Sequence, residues 1–205
     1  MNLNFPSIYG NPSLRTGHFG VTYRGINFVK CPFDYVTYQM LINEVQPDLI
    51  IEIGTAFGGG ALYFADILDK LGKGIVHTID IVKKDYDYKI INHNRIKTFF
   101  DGYEGYDINN TIGFNNILII DDGSHIYEDV KNAFFKFNKL VSLNSYYIIE
   151  DGVIDKLENT EYFNGGPSKF LNELNDNSFV VDRRWCDFFG ENATFNPNGF
   201  LKKVI

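Results

Sequence analysis

From residue 33 onward the chain alternates between two hydrophobic rhythms. Short, almost uninterrupted apolar runs recur as DLIIEI (48–53), GIVHTIDI (74–81), RIKTFF (95–100), NILIID (116–121) and SYYIIE (145–150). Their length and β-branched content are those of strands buried on both faces. Between them, FDYVTYQMLINEV (33–45), GGALYFADILDKL (59–71) and YEDVKNAFFKFNKLV (127–141) space apolar residues along one face of a helix, and Pro47 stops the first. Strands alternating with helices predict an α/β fold with a mainly parallel, doubly wound sheet. Beyond residue 150 the rhythm changes. PSKFLNEL (167–174) predicts a helix, whereas FVVDRRW (179–185) and GFLKKVI (199–205), separated by the turn-forming NPNG, predict an antiparallel closing pair. Residues 1–30, rich in Gly, Pro, Asn and aromatic residues without a period, predict an irregular N-terminal arm ahead of one domain spanning 31–205.

With 205 residues, of which 44% are hydrophobic and 16% aromatic, the chain can bury one substantial core. A net charge of -7 and a pI near 5.0 argue against a nucleic-acid partner, because phosphate binding draws on clustered Lys and Arg. The start, MNLNFPSIYG, has neither the basic residues nor the apolar stretch of a signal peptide, and no later segment approaches the roughly 18 apolar residues of a membrane span. A soluble, cytoplasmic protein with no membrane partner is expected. Cys31 and Cys186 lack metal-ligand spacing and are expected to be reduced thiols.

In a doubly wound sheet, ligands collect beyond the carboxyl ends of the strands, near the point where strand order reverses. Those ends are acidic here: Glu52, Asp80, Asp101, Asp121 with Asp122, and Glu150 with Asp151 follow the five runs in order. The turn after the first run reads Gly54, Thr55, Ala56, Phe57, Gly58, Gly59, Gly60, which fails the G-x-G-x-x-G spacing of a pyrophosphate-binding turn. It matches the E-x-G-x-x-x-G turn of class I methyltransferases, with Glu52, Gly54 and Gly58 in the key places. Glycine lets the backbone approach a ligand closely. Asp80, ending the next strand, is positioned to accept hydrogen bonds from ribose hydroxyls.

The stretch RGINFVKCPFDYVTYQMLINEVQPDLIIEIGTAFGGGALYFADIL, followed by IIDDGSH, YYIIEDGVID and the terminal FNPNGFLKKV, resembles the cephalosporin hydroxylase family, related to rhamnosyl and macrolide-sugar O-methyltransferases. The similarity runs from about residue 24 to the C-terminus. It implies a Rossmann-like class I methyltransferase fold with an antiparallel C-terminal strand. It also implies S-adenosyl-L-methionine as cofactor, held by Glu52, Gly54, Thr55, Gly58, Asp80, Gly102, Tyr103 and Asp122. Tyr103 stands where such proteins often carry a small polar residue beside the adenine. A divalent metal is implied as well, and Asp122, Glu150 and Asp151 offer hard oxygen ligands suited to Mg2+. Related sugar methyltransferases with a D-x-x-H arrangement use the His as general base, which carries that role to His125; an imidazole near its ordinary pKa of about 6.5 suits the task. Lys30 and Tyr127 are further candidates for substrate contact, against the alternatives of a solvated lysine and a tyrosine packed on the sheet.

The resulting expectation is Mg2+-dependent methyl transfer to a hydroxyl of a small-molecule acceptor: a sugar, glycan or glycosylated metabolite. Two alternatives stay open. One is a metal-dependent hydroxylase, as the family name suggests, although an iron oxygenase is expected to supply two His and one carboxylate. The other is a cofactor-binding subunit without turnover. The aromatic-rich arm either covers the site or reaches a second copy of the chain, so a homo-oligomer also stays open.

Overall fold

The structure, a computed structural model, describes residues 12–154 and 161–205. Residues 1–11 of the expected arm, and Asp155 closing YYIIEDGVID, lie outside the described residues. In its described part the arm carries short elements: a helix at Pro12–Gly17 and a two-stranded ribbon of Thr22–Tyr23 against Ile26–Asn27.

Seven strands form the central sheet: β1 Leu49–Ile53, β2 Ile75–Ile79, β3 Ile96–Phe99, β4 Ile117–Asp121, β5 Tyr146–Ile149, β6 Phe179–Val181 and β7 Phe200–Lys203. Their order is β3-β2-β1-β4-β5-β7-β6. The first five are parallel, as the alternation predicts. β7 runs antiparallel between β5 and β6. The closing pair is therefore real, with Phe179 opposite Lys203 and Val181 opposite Leu201. Its boundaries differ from expectation. Asp182 ends β6 and caps a short helix, Arg183–Cys186, by accepting from the Arg184 N–H at 3.0 Å, so DRRW leaves the sheet.

The pleat divides the core into two layers. Ile50, Val76, Leu118, Ile120, Tyr146, Ile148 and Phe200 face helices α1 (Pro32–Val45) and α2 (Gly59–Leu71). Leu49, Ile51, Ile53, Ile117, Ile119, Tyr147 and Ile149 face α3 (Tyr127–Phe137) and α4 (Gly166–Glu173). α1 starts with Pro32 at its first turn and ends at Gln46, which takes φ 50° before Pro47. α2 lies between left-handed Gly58 and Gly72. Tyr127 packs in the second layer and donates to Glu173 Oε2 at 2.5 Å, which ties α3 to α4. The packing alternative for Tyr127 is the one observed. Cys31 and Cys186 are free and buried. Among the described residues no helix is long and apolar enough to cross a membrane.

β1 occupies the centre, with β2 on one side and β4 on the other, so strand order reverses there and opens a crevice at the carboxyl ends. Phe134, fully buried, is a hub of the second layer: its ring lies 5.0 Å from Tyr147, 5.3 Å from Phe170 and 5.4 Å from Phe179. Phe134→Ala should lower unfolding free energy by about 3–5 kcal/mol, measured by urea denaturation, because the cavity borders three elements that cannot all relax into it.

Candidate active site

The crevice at the switch point holds a cavity of about 340 Å³ lined by Gly54, Asp80, Gly102, Tyr103, Asp121 and Asp122. Ile79, Ile81, Val130 and Ala133 add apolar wall, and Ser124 and Asp129 a polar edge. Gly54 has φ +97°, and a Cβ there would stand 1.9 Å from the Asp122 carbonyl oxygen. Only glycine fits where β1 and β4 come this close. Asp80 borders the cavity while its carboxylate accepts from the N–H groups of Ala56 and Val82, each at 3.1 Å. It thereby fastens the glycine turn to the end of β2.

Glu52, Thr55 and Gly58, expected to touch a cofactor, lie behind this surface. The pleat turns Glu52 away from the cavity and under α2, where Oε2 accepts from Thr78 Oγ1 at 2.6 Å. Thr55 Oγ1 lies 2.7 Å from the same hydroxyl. Gly58 faces Ile90, whose Cδ1 would lie 2.2 Å from a Cβ. These residues support the turn from beneath. Burial raises the Glu52 pKa to about 8, against the pull of Thr78 and Lys30, so the side chain is mostly protonated at neutral pH. Burial likewise lifts Asp121, on the cavity floor, to about 7.

Beside the cavity stands a charged centre. Lys30 is 5% exposed; its ammonium donates to Asp122 Oδ2 at 2.8 Å and contacts Glu150 Oε2 directly. Glu150 is 2% exposed, and its other oxygen accepts from the Tyr38 hydroxyl at 2.7 Å. Burial alone would lower the Lys30 pKa; Asp122 and Glu150 outweigh it, and the net direction is upward. Burial pushes Glu150 up, with Asp122 adding to this, and the Lys30 charge opposes both. With an ammonium in direct contact, the ion pair is the form the geometry holds. Lys30 is thus the counter-charge of the acidic cluster, not a solvated lysine.

Asp122, His125 and Asp151 form a second group, whose ligand atoms lie within 4.8 Å of one another. His125 Nε2 is 3.7 Å from Asp122 Oδ1 and 3.5 Å from Asp151 Oδ2. Both His125 and Asp151 hold left-handed backbone, at φ 58° and 53°. Such strain persists only where the surroundings impose it. For Asp151 the surroundings include Asn196, whose Oδ1 accepts from the Asp151 N–H at 3.0 Å, which accounts for part of the FNPNGF motif. Of the expected metal set, Asp122 and Asp151 lie in this group beside His125, whereas the Glu150 carboxylate is hydrogen-bonded to Lys30 and Tyr38. The two carboxylates and one imidazole suit a divalent cation. A further group, Asp66, Asp69 and His93, is already ion-paired to Arg24 and Arg95.

A larger cavity of about 530 Å³ opens on the other side of this group. Phe19, Phe28, Phe57 and Phe195 form its apolar wall, with His125 and Asp151 as polar wall. His18 also lines it, with a buried Nδ1 that has no hydrogen-bond partner among the described residues. Both cavities share Ala56, Asp122 and Gly123. Sequence reasoning did not single out the arm residues His18 and Phe19, nor Asp129, which sit at no strand end and in no motif, nor Ser124, which lies within IIDDGSH.

The family model for rhamnosyl O-methyltransferase/CmcI matches residues 18–204. A rhamnosyl O-methyltransferase of Mycobacterium bovis is 29% identical over 200 residues, covering 88% of this chain and 77% of the relative. The solved structure "cmcI-N160 SAH" superposes with a TM-score of 0.67 at 20% identity, over 90% of this chain and 83% of that one. "cmcI-D160 Mg-SAM" gives 0.63 at 20% identity, over 91% and 78%. These likenesses establish the fold, a class I methyltransferase sheet with an antiparallel final strand.

The Glu52 environment generates a pH test. Its ordinary pKa of 4.5 rises to about 8 on folding, so the folded chain binds the extra proton between those values. That contribution to stability is complete below 4.5 and disappears as pH rises through 8. Wild type should therefore lose stability relative to Glu52→Gln, which cannot ionise, as pH rises from about 5 to about 8, read by urea denaturation at several pH values. Parallel curves would mean that Glu52 is ionised in the fold.

Proposed function

Because the chain belongs to the rhamnosyl O-methyltransferase/CmcI family, we propose that it transfers a methyl group from S-adenosylmethionine to a sugar hydroxyl, in the cytoplasm. One observation carries the reading: a nucleoside-sized cavity over Gly54 and Asp80 meets a second, aromatic-walled cavity at Asp122 and Gly123. Donor and acceptor would occupy adjoining chambers, with the transferred methyl at the shared wall.

The residues fit the cofactor. Gly54 lets the end of β1 pack directly against the Asp122 backbone at the cavity wall, and Asp80 retains lone pairs for ribose hydroxyls. Ile81, Gly102 and Tyr103 offer a largely apolar slot for adenine. They also fit a divalent cation, held by Asp122 and Asp151, which when bound would lower the pKa of an acceptor hydroxyl. His125, facing the acceptor cavity, takes the hydroxyl proton as the oxygen–methyl bond forms and the sulfur–methyl bond breaks. The products are a methyl ether and S-adenosylhomocysteine. Alignment of the two chambers supplies positioning, which for well-oriented groups is a large share of catalysis.

The closeness of His125 Nε2 to both carboxylates favours a second reading, in which the imidazole is a third ligand. His125→Ala separates the two. As general base, His125 can be removed with metal affinity retained and kcat reduced on the order of 10²–10⁴. Loss of calorimetric Mg2+ binding by the variant would make His125 a ligand instead. For the donor chamber, Asp80→Ala should weaken S-adenosylhomocysteine by about 1.5–3 kcal/mol in calorimetry, the scale of hydrogen bonds to a charged group. Unchanged affinity would place the nucleoside elsewhere.

A further inference from the structure

We propose that Lys30 is an internal competitor of the divalent cation: its ammonium holds Asp122 and withholds Glu150, keeping the acidic centre assembled and limiting how tightly metal binds. This rests on the metal site argued above and adds a regulator of that site.

Asp122 is shared between two cationic demands. Oδ2 accepts from Lys30 at 2.8 Å, while Oδ1 faces His125 Nε2 at 3.7 Å. Glu150 directly precedes Asp151, yet it is not part of the metal-capable group, and both its oxygens accept hydrogen bonds, from Lys30 and from Tyr38. Lys30 is itself fixed. It is 5% exposed, and its Nζ lies 5.6 Å from the Phe28 ring centre and 5.7 Å from that of Tyr38. Three carboxylates against one ammonium leave two uncompensated negative charges, the charge a divalent cation neutralises. A metal approaching Asp122 meets a fixed positive charge on the far oxygen of the same carboxylate. Desolvated like charges repel strongly at this range. Any ion that recruits Glu150 must also displace the ammonium from it.

The role is one of positioning, so the test reads metal affinity and not turnover. Mn2+ is titrated calorimetrically into the full chain as wild type, Lys30→Met and Lys30→Arg. The Met variant should bind Mn2+ tighter by roughly tenfold or more, the direction expected when a neighbouring like charge is removed at low effective dielectric. Its metal-free melting temperature should fall, because Glu150 loses its counter-charge, and Mn2+ should restore more of it than in wild type. The Arg variant, keeping the charge, should stay near wild type. A folded Met variant that binds Mn2+ no tighter than wild type overturns the proposal. Should the Met variant not fold, the wild-type chain decides: the Lys30 15Nζ resonance should shift as diamagnetic Mg2+ is added, and an unchanged resonance at saturating Mg2+ overturns it. Absence of metal binding by every variant and by wild type overturns the metal site itself, and the competition with it.

Discussion

The Lys30 ammonium is the constraint on which the functional end of this molecule depends. Asp122 and Glu150 end adjacent parallel strands, and both continue the pleat toward the α1 face of the sheet. Two buried carboxylates in that position repel unless one is neutralised or a cation lies between them. Lys30 supplies that cation from the segment leading into α1, and in doing so anchors the N-terminal region to β4 and β5. Asp34, 1% exposed, fixes the same helix start by accepting from the Phe195 N–H at 2.9 Å and from Thr194. Asn196, two residues after Thr194, holds the Asp151 backbone. The arm, the strand ends and the C-terminal loop are thus joined through polar contacts around one charge.

This arrangement connects chemistry to architecture. The switch point between β1 and β4 produces the cavity over Gly54 and Asp80, where strand reversal opens a ligand crevice in open α/β sheets. The second, aromatic-walled cavity is closed by the arm and the FNPNGF loop on the other side of Asp122, which supply Phe19, Phe28 and Phe195. Asp122 belongs to both chambers, to the Lys30 pair and to the metal-capable group. No other strand-end acid carries as many roles, and the backbone strain at His125 and Asp151 lies immediately around it.

The fold was largely legible in the sequence, because hydrophobic period and turn chemistry act locally. The five apolar runs became the five parallel strands, and the glycine turn led into the donor cavity. The functional residues were legible only as far as strand ends announce them. Glu52, expected at the cofactor, lies behind the cavity wall, and parity gives the reason: Ile50, two residues earlier, faces α2, so Glu52 does too, and it pairs with Thr78 across the register. The same parity separates Glu150 from Asp151, so that Lys30 meets the first and His125 the second. Lys30 stood out only as a substrate contact or a solvated lysine, and its role as counter-charge was hidden for a different reason. Its partners lie 92 and 120 residues away, and a lysine in an aperiodic segment carries no local signal that it will be buried.

The central claim is that Asp122 marks the meeting of a methyl donor with a metal-bearing acceptor chamber. A crystal grown with S-adenosylhomocysteine and Mn2+, with anomalous diffraction collected at the manganese edge, tests it most directly. The account predicts the nucleoside over Gly54 with its ribose at Asp80, and a manganese peak between Asp122 and Asp151. Manganese at Asp66, Asp69 and His93 instead, or a nucleoside bound away from Asp80, would contradict it.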